Sequence, residues 1–326
     1  MDRAAIQAGR RLDLALALIN EQDGLAAAEL AREACALAPG FAEAHFVLGQ
    51  ALELLGAAQA SKAAQAYRAY LEREPQDRLG ANLRLTLLGE RAAPERLPAA
   101  YVKALFDQAA ATFEEKMRSK LGYRGPELLW SLLASHRHCL PARPALLDLG
   151  CGTGAVGELF VQLGGRMDGL DLSPKMIAKA RSKGLYGELW AADLLEETET
   201  ADRQYDLLLA ADVFNYIGDL SPALAACWRR MKPGALLLFT LEAQPQDAAR
   251  APFDLGPGQR YRHDPAVVRA WLASSLLELL SLESGVLRQE KRQPVECWLF
   301  LARRPVAGRL DDPCEPESRR TEPRTN

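Results

Sequence analysis

The chain has 326 residues, 48% of them hydrophobic and 25% charged, with a formal net charge of −3. That length exceeds one average domain and predicts two, and the near-neutral balance argues against a general nucleic-acid binder. Six scattered cysteines (Cys35, Cys139, Cys151, Cys227, Cys297 and Cys314), with no C-x-x-C pair, and four histidines predict no metal site.

The start, "MDRAAIQAGRR", carries no apolar signal core, and no run reaches the roughly 20 apolar residues of a membrane span. A cytoplasmic protein without a membrane partner is expected. Residues 1–93 are rich in Ala, Leu, Glu and Arg and contain nothing of strand character. "GLAAAELAREACALAPG" and "ASKAAQAYRAYLEREPQ" both read as helices with small residues on one face, closed by Pro39 and Pro75. With "EAHFVLGQALELLG" between them, the spacing predicts repeated helix pairs.

Residues 94–144 are expected to hold a linker, "RAAPERLPAA", and two lid helices. The first runs through "YVKALFDQAAATFEEKM"; the second starts near Pro126, after the break "GYRGP".

From residue 145 to 304 short apolar runs alternate with helical stretches. "ALLDLG", "MDGLDLS", "GELWAADL", "YDLLLAADVF" and "ALLLFTLE" read as strands. The helices between them include "PKMIAKARSKG", with Pro174 in its first turn, and "SPALAACWRRMKPG", read as running from a Ser cap to a Pro-Gly stop. "LLELLSLESGVLR" and "VECWLFLAR" lack room for a helix between them and predict an antiparallel hairpin. The expected fold is therefore α/β: a Rossmann-like, doubly wound, mostly parallel seven-stranded sheet with an antiparallel terminal hairpin, preceded by an all-α domain. Residues 305–326 have no apolar anchors and are expected to be disordered.

"LLDLGCGTGAVGELF" carries the chemistry. Gly150-x-Gly152-x-x-Ala155 satisfies the dinucleotide pattern, whereas Asp148-x-Gly150-x-Gly152-x-Gly154 suits the methionine end of S-adenosylmethionine. Asp148 favours the second reading, because a carboxylate tolerates a sulfonium and an ammonium better than a pyrophosphate. Asp171, 21 residues after Gly150, can accept from ribose hydroxyls in either case. Asp193 ends the third strand, where it can receive an adenine amino group.

Taken with the terminal hairpin, this order of features resembles a class I S-adenosylmethionine-dependent methyltransferase over residues 145–304. The resemblance implies S-adenosylmethionine as cofactor, held by Asp148, Gly150, Cys151, Gly152, Gly154, Asp171, Leu172, Asp193 and Leu194, with Ala210 lining the transfer site. "LFDQAAATFEEKM" and "LGYRGPELL" resemble the lid of small-molecule methyltransferases, which adds Phe106, Phe113, Tyr123 and Arg124 to the cofactor site. The front resembles the tetratricopeptide repeat: Leu48, Gly49, Ala63, Tyr67 and Pro75 match, while His45 stands where Trp is usual. The whole is similar to a bacterial group joining such a front to a methyltransferase.

Methyl transfer needs alignment and exclusion of water more than covalent help. Phe106 and Phe113, seven apart, are expected on one helix face over the cofactor. His263, in the loop "GPGQRYRHDPAVV", is the general-base candidate, with Tyr261 beside it and Asp212 after the fourth strand as further catalytic candidates. The expected acceptor is an oxygen or nitrogen of a small molecule. In the alternative reading the front recruits a polypeptide substrate; it could equally be a platform for a partner or a homodimer.

Overall fold

A computed structural model describes residues 3–196, 203–245, 251–256 and 258–306. The segment expected to be disordered lies outside these beyond residue 306. The chain divides into two compact units, Met1–Ala104 and Leu105–Asn326.

The first unit is helical: α1 (Arg3–Asn20), α2 (Gly24–Leu37), α3 (Ala42–Leu54), α4 (Ala60–Arg73) and α5 (Ala81–Leu87), each packed against the next. Small residues set the spacing. Ala27, Ala28, Ala63 and Ala64 are fully buried beside Phe46, Tyr67 and Tyr70. The Tyr67 ring lies on Gly49, where a Cβ would meet it at 2.5 Å. Asp77 caps α5, accepting from the amides of Ala81 and Asn82.

The division between the units falls inside α6 (Ala99–Ala109), and within the first unit the Tyr101 ring packs on Gly80. The single lid helix expected through Phe113 is broken. After α6 come a turn, the short α7 (Phe113–Glu115) and a π-type turn over Lys116–Lys120. The second lid helix, α8 (Gly125–Ala134), has Pro126 in its first turn.

The second unit then alternates: β1 (Leu146–Leu149), α9 (Ala155–Phe160), β2 (Met167–Asp171), α10 (Pro174–Ser182), β3 (Leu189–Ala191), β4 (Tyr205–Ala210), α11 (Ser221–Arg230) and β5 (Met231–Ala243). Ser173 caps α10 by accepting from the Met176 amide. Ser221 is not a cap: it lies inside α11, with its N–H and hydroxyl donating to Asp219. The helix stops at Arg230, three residues before the Pro-Gly pair, and Lys232-Pro233-Gly234 already belong to β5, where Gly234, at φ +85°, donates to Arg304 O. Two short strands, β6 (Phe253–Leu255) and β7 (Tyr261–His263), precede α12 (Pro265–Ser274), β8 (Glu278–Glu290) and β9 (Gln293–Arg303).

The order β3–β2–β1–β4–β5 is parallel throughout, and β9 then β8 add antiparallel beside β5. That is the expected seven-stranded arrangement. Among the described residues the sheet nevertheless has nine strands, because the stretch read as a loop supplies β6 and β7. Glu242 of β5 pairs with Arg262 on one edge and Cys297 on the other, so β7 takes the edge that β4 leaves free. The β8–β9 hairpin turns on Lys291 and Arg292, both at positive φ, as a two-residue turn requires.

Alternate residues of one strand enter different cores, the mark of a sheet covered on both faces. Leu208 and Ala210 join Leu147, Leu237 and Phe239 under α11 and α12. Leu207 and Leu209 join Leu146, Leu236 and Leu238 under α8 and α9.

Candidate active site

The carboxyl ends of β1, β2 and β4 meet where an open α/β sheet binds ligands. The chain leaves β1 through Gly150, Gly152 and Gly154, all at positive φ, which side chains resist. Their surroundings differ. A Cβ on Gly150 would strike Val213 at 2.6 Å, and one on Gly154 would press the Tyr186 ring at 3.3 Å. Gly152 alone of the three faces open space, with nothing within 4 Å. Its N–H donates to Asp171 Oδ2, whose partner oxygen accepts from the Ser173 amide.

Both loop carboxylates are buried. Asp148 accepts from the Tyr186 hydroxyl at 2.7 Å through Oδ2, while its Oδ1 is buried without a partner. Burial pushes its carboxyl up to about 7, and Asp171 beside it adds to the rise. Asp171 is pushed up to about 6, chiefly by burial, against its backbone hydrogen bonds. A buried orphan acceptor, a second carboxylate and an open glycine fit the ammonium, ribose and backbone-facing parts of an adenosyl amino acid. Cys151 is buried, with its thiol raised well above its ordinary value by burial and the two carboxylates, which suits packing and not nucleophilic chemistry. Leu172 is half-buried after β2, and Leu194 is buried in the core beside Leu149 and Leu170. Asp193 follows β3, its Oδ1 accepting from the Leu195 amide.

The lid is anchored over this cradle. Asp107 accepts from the α10 cap hydroxyl, Ser173, at 2.6 Å, and Glu114 pairs with Lys183, which also holds Glu158 of α9. Phe106 and Phe113 touch edge to face despite the helix break, and Phe106 meets Tyr216 with centroids 5.5 Å apart. Tyr123 packs on Gly125, and burial together with Asp212 and Asp148 raises its hydroxyl's pKa. Arg124 is exposed at the start of α8, its backbone N–H donating to Leu287 O.

Beyond the fully buried Ala210, the chain turns through Asp212, a non-glycine residue at φ +61°. Three bonds fix it. Its N–H donates to Thr240 Oγ1, Asn215 Nδ2 donates to its Oδ1, and Arg288 Nη1 binds its Oδ2 at 2.7 Å. Arg288, whose side chain is 2% exposed, also holds Glu242 and Glu290, and Arg260 binds the same two glutamates. Desolvation raises the Asp212 carboxyl above the usual range, with Arg288 opposing it. Val213 packs against Gly150, so this turn and the glycine loop adjoin.

The other two catalytic candidates are structural. His263 is fully buried in β7, and its Nε2 donates to Ile217 O and Gly218 O at 3.0 Å each. Phe253 and Trp271 surround the ring, and burial lowers its pKa to about 4. An imidazole so enclosed has no path for taking a proton from an acceptor. Tyr261 is likewise fully buried, edge-on to Phe253. The sequence placed both on an open loop; strand pairing with β6 turned them inward.

Arg288, Glu242, Asn215, Tyr216 and Tyr186 had no signal in the sequence reading. For Arg288 the reason is a bulge: Val286 pairs with Glu296 and Arg288 with Val295, so Leu287 is the extra residue. Leu287 and Arg288 are consequently both buried, where strict alternation would expose one.

This arrangement is a ligand-sized cradle at the carboxyl edge of a doubly wound sheet, where such sheets bind nucleotide-like molecules. Comparison with known proteins specifies the chemistry. A family model described as a methyltransferase domain matches residues 147–237. The ubiquinone biosynthesis O-methyltransferase of Xanthomonas oryzae pv. oryzae is 28% identical over 162 residues, 45% of this chain and 67% of that protein. The malonyl-[acyl-carrier protein] O-methyltransferase of Pseudescherichia vulneris is 31% identical over 139 residues, 43% of this chain and 52% of that protein. The solved structure of the [4+2]-cyclase SpnF shares the fold, with a TM-score of 0.51 and 18% identity over 63% of this chain and 96% of its own. The chain carries a class I methyltransferase domain and is an S-adenosylmethionine-dependent methyltransferase. Its N-terminal region is helical, and among the described residues no helix is long and apolar enough to cross a membrane.

Proposed function

We propose that this cytoplasmic enzyme methylates an oxygen or nitrogen of a small-molecule acceptor, with Asp212 as the proton-accepting group. The observation that supports this reading is the contact of Val213 with Gly150, which brings the turn carrying the half-buried Asp212 up to the glycine loop. When bound, S-adenosylmethionine supplies an electrophilic methyl group on a sulfonium. Gly152 gives it room, Asp171 accepts from its ribose, and Asp148 Oδ1 accepts from its ammonium. Phe106, Phe113 and Tyr216 keep water away and present ring faces suited to a cation. Asp212 is fixed by Arg288 and Asn215, and its raised pKa makes it a stronger base than an exposed aspartate. The names of the two curated relatives, both O-methyltransferases, favour oxygen as the acceptor atom.

A second reading gives the helical front a role in recruiting a polypeptide acceptor, a partner or a second copy. The Tyr67 ring seated on Gly49 is the kind of close helix approach a tetratricopeptide unit uses, and it favours a repeat platform.

Calorimetry with S-adenosylmethionine, S-adenosylhomocysteine and NADH on the wild type and Asp171→Ala tests the cofactor assignment. Binding of the sulfur cofactors alone, lost in the variant, is expected; binding of NADH alone would overturn it. A screen of phenols, carboxylic acids and amines for S-adenosylhomocysteine release, with and without Asp212→Asn, then tests the acceptor chemistry.

A further inference from the structure

Three of the glycines around the cofactor loop accommodate a tyrosine. A Cβ on Gly157 would meet the Tyr186 hydroxyl oxygen at 2.5 Å, one on Gly154 its Cε2 at 3.3 Å, and one on Gly169 its Cδ1 at 3.1 Å. These glycines come from α9, the loop and β2, so residues far apart in sequence leave one slot for a single ring. Gly157 and Gly169 need no positive φ; what they provide is room. At the end of the slot the hydroxyl donates to Asp148 Oδ2 at 2.7 Å. The other oxygen, Oδ1, is left buried and unpartnered beside the glycine loop.

We infer that Tyr186 is a positioning residue of the cofactor site: it fixes the Asp148 carboxylate, and the glycine slot exists to hold it there. This rests on the reading of Asp148 as the acceptor for the cofactor's ammonium. A buried carboxylate with one oxygen bonded and one orphaned is costly as an anion unless a cation arrives. The hydroxyl satisfies half of it and fixes its rotamer, so the free lone pairs form a pre-set acceptor. A carboxylate can take an ammonium and would repel the carboxylate at the same end of the amino acid, so the contact also orients the ligand.

The groups that face Asp148 are Tyr186 from the segment after α10, Asp171 on β2, Cys151 in the glycine loop and Tyr123 before α8. Tyr186 lowers the Asp148 pKa and Asp171 raises it, so loss of the hydroxyl moves that carboxyl further upward. Binding to a cation needs the ionised form, so wild-type affinity rises as pH increases through the neutral range.

The test is calorimetric binding of S-adenosylhomocysteine between pH 6 and 8.5 to the wild type, Tyr186→Phe, Gly157→Ala and Asp148→Asn. S-Adenosylhomocysteine keeps the ammonium and lacks the sulfonium, which isolates the contact. Tyr186→Phe retains the ring in its slot and is expected to bind roughly tenfold more weakly at pH 7, with the midpoint of the pH dependence about one unit higher. Gly157→Ala keeps every titrating group and displaces the hydroxyl, so its midpoint moves the same way. Asp148→Asn binds weakly with a profile that is flat above the range near pH 6 where Asp171 titrates, and adding Tyr186→Phe to it changes nothing more. Unmoved midpoints in both Tyr186→Phe and Gly157→Ala, with Asp148→Asn still flat, would overturn the role of Tyr186 and leave the cofactor reading standing. A wild-type profile for Asp148→Asn would overturn the ammonium contact itself.

Discussion

The two sides of the proposed active site are built by opposite means. On the cofactor side, Asp148, Gly150, Gly152 and Gly154 lie within seven consecutive residues, and much of what they offer is backbone: a turn and an open space. On the acceptor side, Asp212 depends on Arg288, 76 residues away, and on Glu242, Asn215 and Glu290 from other elements. A cofactor shared by many enzymes can be held by a local backbone motif. An acceptor pocket particular to one enzyme is assembled from side chains that only folding brings together.

The sharpest way to break this comparison is to remove the centre of the acceptor side. Arg288→Met strands three carboxylates with Arg260 alone. Breaking a buried ion pair costs about 3–5 kcal/mol, so urea unfolding is expected to show a loss of that order. With their cation gone Asp212 and Glu290 have higher folded-state pKa values than in the wild type, so the deficit grows from pH 5 to pH 8. Cofactor affinity should change far less; an equal collapse of both would show that the two sides are one unit.

His263 tests the boundary of the acceptor side. Its folded-state pKa of about 4 lies below the ordinary value of 6.5, so the unfolded chain protonates first as pH falls. Its stabilising effect is therefore full above pH 6.5 and lost as pH falls from there to 4, by about 3 kcal/mol. His263→Gln keeps a donor for the Ile217 and Gly218 carbonyls but does not titrate. Unfolding curves measured at pH 4.5 and 7 should differ less for the variant than for the wild type.

Asp212→Asn sharpens the division of labour. Loss of a general base typically costs at least about 100-fold in turnover. With an acceptor found by screening, kcat is expected to fall by that order while calorimetric affinity for S-adenosylhomocysteine stays within about twofold. A tenfold loss of affinity would move Asp212 to the cofactor side. The smallest effect belongs to the helical front: Asp77→Ala removes the α5 cap and should cost about 1 kcal/mol in thermal or urea unfolding, with cofactor affinity unchanged.

The sequence by itself determined the alternation of strands and helices, their parallel order and the antiparallel hairpin, because burial on both faces writes continuous apolar runs and caps and prolines mark the helix ends. It also located the glycine turn, since positive φ restricts residue choice locally. Tertiary structure alone decided which glycine is open: Val213 fills the space beside Gly150, Tyr186 fills that beside Gly154, and only Gly152 is left clear. It decided that His263 and Tyr261 belong to the core, through a strand pairing that their loop-like sequence did not announce. And it decided that Arg288 faces inward, because one bulged residue breaks the two-residue period on which any strand reading depends. Local conformational preference is encoded in neighbouring residues; occupancy of space is encoded in residues that meet only after the chain has folded.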